Sequence, residues 1–246
     1  MDRSTNEIAP GVFDLTPPKN GYLKGGYVHA FLLVHHDALL LIDTLFDPDA
    51  QVILDQIQKI GKRVTDLKHI LLTHGHRAHL GGLQTLKRLS GATIYAHAWE
   101  ADIIAGERNQ QGVSLRPMKG IQVLPILIGG SLLAPLAQHK PCPVDQLIDE
   151  GAQIGPLRVL HTPGHTPGHL AFYWQAQRTL FTGDAFVTWP LICPGWPNTM
   201  LNVKQTWQSL RRMSELDVQA IGVGHGEPIR ENGAAVLREL SARGTV

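Results

Sequence analysis

Cysteine is nearly absent: Cys142 and Cys193 are the only two in 246 residues. Two thiols cannot build a disulfide framework, and neither has a CxxC partner, so a reducing cytoplasm is the expected compartment. Charge of one sign is also missing. Lys and Arg number 22 against 21 Asp and Glu, a net +1 that gives no electrostatic case for nucleic acid or an acidic membrane as partner. No long uninterrupted apolar run exists. The greasiest stretch, Ile121 to Ala137, is broken by Pro125, Gly129, Gly130 and Pro135 and is short for a bilayer, so it is expected to be buried strand and loop. The opening residues Met1 to Glu7 lack the apolar core of a signal peptide. What remains, 43% hydrophobic and 17% charged, is ordinary for a soluble globular protein.

Histidine is what the chain has in excess, 13 in all. Thr73-His74-Gly75-His76-Arg77-Ala78-His79 places three imidazoles at i, i+2 and i+5 behind the apolar run Ile70-Leu71-Leu72. Imidazole is the commonest metal-ligating side chain, and alternate residues of an extended segment point the same way. His74 and His76 can therefore grip one ion while His79 reaches elsewhere. Three further apolar runs end in the same fashion. Val159-Leu160 leads into His161-Thr162-Pro163-Gly164-His165, Leu180-Phe181 into Thr182-Gly183-Asp184, and Ile221-Gly222-Val223 into Gly224-His225-Gly226. Functional side chains gather on loops at strand ends, and the glycines allow close backbone approach. Four such ends point to one shared metal site with N and O ligands. Because these residues span 74 to 225, a single domain over 1–246 is expected.

Val28–Val34 and Ala38–Ile42 read as a hairpin turning at His35-His36-Asp37. Pro48 to Ile60 has helical spacing, with apolar Val52, Ile53, Ile57 and Ile60. Strands are expected at Lys68–Leu72 and Ala92–Ala96, and helices at Leu80–Leu89 and Trp99–Gly106. This β-β-α-β-α-β-α order indicates a layered α/β fold. Residues 107–150, rich in proline, read as an irregular insertion or pocket wall. Strands follow at Leu157–Leu160, His169–Trp174, Thr179–Thr182 and Ala220–Val223. Helices are expected at Val203–Leu216, with Trp207, Leu210 and Met213 on one face, and at Gly233–Leu240.

These motifs, with Leu41-Ile42-Asp43-Thr44 and Pro163-Gly164-His165-Thr166-Pro167-Gly168-His169, closely resemble the metallo-β-lactamase superfamily and its glyoxalase II-like thioesterases. The resemblance runs from about Val28 to about His225. It implies a four-layered αββα sandwich with metals at one edge, between the sheets. Position by position it implies His74, His76 and His165 as ligands of a first ion, Asp184 as a bridging carboxylate, and His79 and His225 as ligands of a second. Asp43 matches a buried supporting aspartate. The departure is Ala78, where the family pattern His-x-His-x-Asp-His carries an aspartate that ligates the second metal and orients water.

Three neutral imidazoles plus water suit an open catalytic zinc site. The second site keeps only His79, Asp184 and His225, and is weakened by the lost negative charge. A helix beginning at Leu80 would place His79 at its N-terminus, where the dipole disfavours imidazolium. The expected activity is that of a zinc-dependent hydrolase, a metal-bound hydroxide attacking an ester, thioester, lactone or amide carbonyl. Asp184 and His79 are the candidate proton carriers. Two rivals stand beside it. One is a mono-iron oxidoreductase of the persulfide dioxygenase type, using His74, His165 and Asp184. The other is a catalytically weak or inactive metal-binding member. Trp189, Trp196, Asn202 and His29 are candidate pocket residues, and His161 and His169 read as supporting groups. The expected partner is a small-molecule substrate, favoured when anionic, and a homodimer stays open.

Overall fold

The computed structural model describes residues 6–16, 28–110, 139–189, 191–195 and 200–244. The described residues build two large sheets. Strands β1 (Glu7–Ala9), β2 (Val12–Leu15), β3 (Ala30–His35), β4 (Ala38–Ile42), β5 (Leu67–Leu71), β6 (Thr93–Ala96) and β7 (Gln146–Leu147) lie in that order in a seven-stranded sheet. It is antiparallel from β1 to β4 and parallel from β4 to β7. The second sheet has the order β14-β11-β10-β9-β8, from β8 (Gln153–Ile154), β9 (Leu157–His161), β10 (Leu170–Trp174), β11 (Thr179–Gly183) and β14 (Ala220–Val223). A small hairpin, β12 (Phe186–Val187) with β13 (Cys193–Pro194), stands apart from both.

Strand periodicity sorts the apolar side chains into three layers of core. On β4, Leu40 and Ile42 face inward against the second sheet, meeting Phe172, Trp174 and Phe181 in one cluster with Phe31 and Leu71. Leu39 and Leu41 of the same strand face the other way, under helices α1 (Gln51–Lys59) and α2 (Leu83–Ser90), where Ile53, Ile57, Leu83 and Leu86 cover them. Successive residues of a strand point to opposite faces, so a strand buried on both sides must be apolar throughout. The outer face of the second sheet is covered by α4 (Val203–Ser214) and α5 (Gly233–Arg243), whose Leu210, Met213, Leu237 and Leu240 pack on Leu160, Tyr173, Leu180 and Ile221. Helix, sheet, sheet, helix is the expected αββα sandwich.

Several boundaries differ from the sequence reading. The N-terminal β1–β2 hairpin is not marked by any long periodic run, and it lines up because Val12 to Leu15 pair with Ala30 to Leu33. Helix α2 begins at Leu83, not Leu80, because Arg77–His79 forms a separate 3₁₀ turn. Helix α3 (Ala98–Ile104) starts one residue early, capped by the His97 ring accepting the Trp99 amide. The later end of the 107–150 segment is an edge strand, β7, and the greasy stretch 121–137 lies outside the described residues. Among the described residues no helix is long and apolar enough to cross a membrane.

Candidate metal centre

The four apolar runs become β5, β9, β11 and β14, and each delivers its polar end to one edge of the sandwich. There the sheets are stitched together. Leu170 N–H donates to Thr73 O at 2.8 Å and His29 N–H to Gly224 O at 3.0 Å, while within the second sheet Gly224 N–H donates to Gly183 O at 2.9 Å. His74, His79, His165, Asp184 and His225 are all buried here, and His76 is half-buried.

Two groups share Asp184. In the first, one ligand atom each from His74, His76, His165 and Asp184 lies within 4.8 Å of all the others, and His79, Asp184 and His225 form the second on the same terms. His76 Nδ1 is 3.0 Å from His165 Nε2. Asp184 Oδ2 is 3.3 Å from His225 Nε2, 3.5 Å from His165 Nε2 and 3.8 Å from His74 Nε2. His79 Nε2 faces Asp184 Oδ1 at 3.5 Å. Ligands about 2.0–2.1 Å from one tetrahedral ion sit about 3.3 Å apart, so little movement is needed. Ring orientation agrees. His74, His76 and His165 stand mutually edge-on, at 80°, 89° and 86°, so their in-plane lone pairs can converge.

Hydrogen bonds select the tautomers that binding needs. Asp43, buried and at φ 57°, accepts from Thr73 N–H (2.9 Å) and Thr73 Oγ1–H (2.8 Å). That hydroxyl then accepts from His74 Nδ1–H at 2.9 Å. Asp43 also takes His79 Nδ1–H at 2.9 Å. Both rings therefore turn an unprotonated Nε2 toward Asp184 when an ion is bound. His74 Nε2, His79 Nε2 and Asp184 Oδ1 are buried and have no hydrogen-bond partner among the described residues. Buried polar atoms are rarely left so, and these mark a cradle that suits a divalent cation. Gly224 completes it: a Cβ there would sit 2.0 Å from Asp184 Oδ1 and 3.1 Å from His79 Cε1.

Burial drives the His74 and His165 rings well below the ordinary imidazole range, and holds His76 down at about 4. They stay neutral, as ligands must be. His79 goes the other way. Burial opposes its charge, but the Asp43 and Asp184 carboxylates outweigh that and lift it to about 10. The expected neutral His79 at a helix N-terminus is thus corrected. Its ring closes a short turn four residues before α2 and sits between two carboxylates that attract a cation, proton or metal.

The remaining residues are placed as follows. His29 Nδ1 is 2.7 Å from Asp14 Oδ1, so that edge of the ring is committed to a half-buried pair. Asn202 caps α4, its side-chain oxygen accepting Gln205 N–H at 3.1 Å. Trp189 is half-buried with its backbone against Gly226, beside the His225 loop, and Trp196 lies outside the described residues. His169 proves to be a direct support: Nδ1 meets Thr162 Oγ1 at 2.8 Å and Nε2 accepts the Asp184 amide at 3.1 Å. With both nitrogens engaged it is no ligand, and burial presses it to about 3. Glu100, fully buried beside the same loops, carries no motif signal and escaped the sequence reading.

A third grouping, His97, Asp149 and His161, is not a comparable ligand set. Its rings are stacked 8° from parallel, so their lone pairs lie in parallel planes and do not converge. His97 Nδ1 accepts the Trp99 amide at 3.0 Å, which leaves the proton on Nε2, the nitrogen facing Asp149.

Known proteins share this frame. YobT of Bacillus subtilis strain 168 is 29% identical over 82% of this chain and 84% of its own. A hydroxyacylglutathione hydrolase of Cereibacter sphaeroides is 28% identical over 76% of this chain, though this covers only 58% of that enzyme. A metallo-beta-lactamase family protein from Thermus thermophilus superposes with a TM-score of 0.65, at 24% identity over 96% of this chain and 80% of that one. Residues 23–225 match the pattern of the Metallo-beta-lactamase superfamily, and with the sandwich and the clustered ligands in place, the chain belongs to that superfamily.

Proposed function

We propose that the protein is a zinc-dependent hydrolase of a small-molecule ester, thioester, lactone or amide, working in the cytoplasm. The observation that carries this reading is the set of three edge-on imidazoles, His74, His76 and His165, abutting the buried carboxylate of Asp184. An ion bound there would acidify water to a pKa of roughly 7 and polarise a carbonyl oxygen. His74, His76 and His165 would hold the first ion, and His79, Asp184 and His225 the second. Asp43 fixes the His74 and His79 tautomers, and His169 holds the Asp184 backbone so that its carboxylate reaches both groups.

Proton movement falls to Asp184 and His79, since Ala78 has no oxygen to offer. A centre lacking one carboxylate has spare positive charge when loaded, which favours a substrate bearing an anionic group. Convergence of His76 with His74 and His165 speaks for the three-histidine site over a two-histidine, one-carboxylate iron centre.

The test is metal analysis of protein made without added metal, followed by assay on aryl ester, acyl thioester, lactone and β-lactam probes. Retained zinc, with hydrolysis of at least one class abolished by His165→Ala, is expected. Retained iron with oxygen uptake on a persulfide, or a filled site inert to every probe, would overturn the hydrolase reading.

A further inference from the structure

We infer that Glu100 is the positioning residue of the first metal site, a carboxylate strap that holds the His74–His76 loop against the His165 loop. This rests on the metal reading above. Glu100 stands on α3 with no exposed surface. Its Oε2 accepts Gly75 N–H at 2.9 Å, from the residue between His74 and His76. Its Oε1 accepts the Thr166 hydroxyl at 2.5 Å, from the residue after His165, and the Gly168 amide adds a third donor. The two loops come from different sheets, and His76 and His165 are 89 residues apart in sequence. One buried carboxyl group thus ties together the two loops that carry all three imidazoles that would share an ion.

Space around the carboxylate is cleared for this arrangement. A Cβ at Gly75 would lie 3.0 Å from Oε2, and one at Gly168 would lie 2.9 Å from Oε1. The bonds named do not touch His79 or His225, whose supports are Asp43 and the Gly183–Gly224 backbone pair. The two buried carboxylates divide the labour: Asp43 sets tautomers, and Glu100 sets the distance between loops.

Groups that hold metal ligands in place typically matter by about 10- to 100-fold in metal affinity. Glu100→Gln keeps the size, but turns an amide N–H toward one of three donors that need an acceptor. In the full-length protein with His79→Ala, which isolates the first site, chelator competition for Zn²⁺ is expected to show affinity falling about 10- to 100-fold. The visible bands of the Co²⁺-loaded protein are expected to shift. Thr166→Val removes one donor only, and about a two- to tenfold loss is expected. Unchanged affinity and unchanged Co²⁺ bands in Glu100→Gln, with only a lowered metal-free Tm, would reduce Glu100 to a packing group and overturn the inference. Should Glu100→Gln not fold, Thr166→Val decides alone, and parental affinity there overturns it. A parent that takes up no ion would bring down the metal reading as well; a parent that binds while Glu100→Gln binds equally brings down this inference alone.

Discussion

The second ion's hold on the protein turns on position 78. Ala78 sits half-buried in the turn that ends at His79, and the candidate ligand group His79, Asp184 and His225 contains one carboxylate, since Asp43 meets the other edge of the His79 ring. Opposite charges a few ångströms apart interact by about 4 kcal/mol at an effective dielectric near 20, far above the 1.4 kcal/mol that makes a factor of ten. Ala78→Asp is therefore expected to tighten the second ion by tenfold or more. Isothermal titration with Zn²⁺ should show one firm and one weak step in the parent and two firm steps in the variant. Equal steps in both proteins would contradict the role given to the missing carboxylate. The same site has a proton to displace. His79 is held up to about 10 by Asp43 and Asp184, against the cost of its burial. Below that value a metal must expel one proton to bind, so second-site affinity is expected to rise about tenfold per pH unit from pH 7 to 9. A flat profile there would show that His79 carries no proton in the metal-free protein.

At the scale of elements, the sequence was legible wherever a strand is buried on both faces. β4, β10, β11 and β14 are short apolar runs cut by turn residues, and their placement followed from that alone. The short edge strands Gln146–Leu147 and Gln153–Ile154 were not legible, since they are largely exposed and owe their form to a neighbour's edge. The site divides the same way. His74, His76, His165 and Asp184 declare themselves by spacing, but Glu100 does not. A glutamate in the sequence Ala-Trp-Glu-Ala reads as one more solvent-facing helical residue, and only the tertiary placement of Gly75 and Thr166 gives it work. Helix α4 offers the converse case, in which periodicity and burial agree: Leu210 and Met213 pack on the outer face of the second sheet. Leu210→Ala is expected to cost about 2–5 kcal/mol in urea unfolding. The metal content of the folded fraction should not change, because Leu210 packs in the outer core, whereas the helix reaches the His165 loop through Asn202 and Ser209. Loss of zinc from well-folded Leu210→Ala would tie the outer layer to the site more closely than the packing does.

For the whole molecule, the cluster that would serve a metal burdens the metal-free fold. His74, His165 and His169 are buried and His76 half-buried, and all four are neutral, with His76 held to about 4 and His169 to about 3. In the unfolded chain each takes up a proton near pH 6.5. A group whose folded pKa is depressed lends stability above its unfolded value and loses it as pH falls toward the folded one. Each of the four therefore subtracts up to about 1.4 kcal/mol per pH unit below about 6.5. His79 has the opposite sign. Raised to about 10, it gives its full contribution below pH 6.5 and loses it as pH climbs through 10. Below pH 6.5 the His79 contribution is constant, so the four depressed groups set the acid-side slope, and a total stability of about 5–15 kcal/mol leaves little reserve. Metal-free protein is expected to unfold cooperatively between about pH 6 and 4. An ion that binds only the folded state adds RT ln(1 + [L]/Kd), so excess zinc should move that midpoint to lower pH until protons strip the ligands. Circular dichroism along an acid titration, with and without zinc, checks both parts. His169→Phe removes one buried imidazole while keeping an apolar ring of similar reach, and it should flatten the metal-free slope even though the Asp184 amide loses its acceptor. A metal-free urea midpoint that stays constant from pH 7 to 5 would mean that these histidines are hydrated in solution, and the dry, closely held cluster on which metal binding depends would not exist.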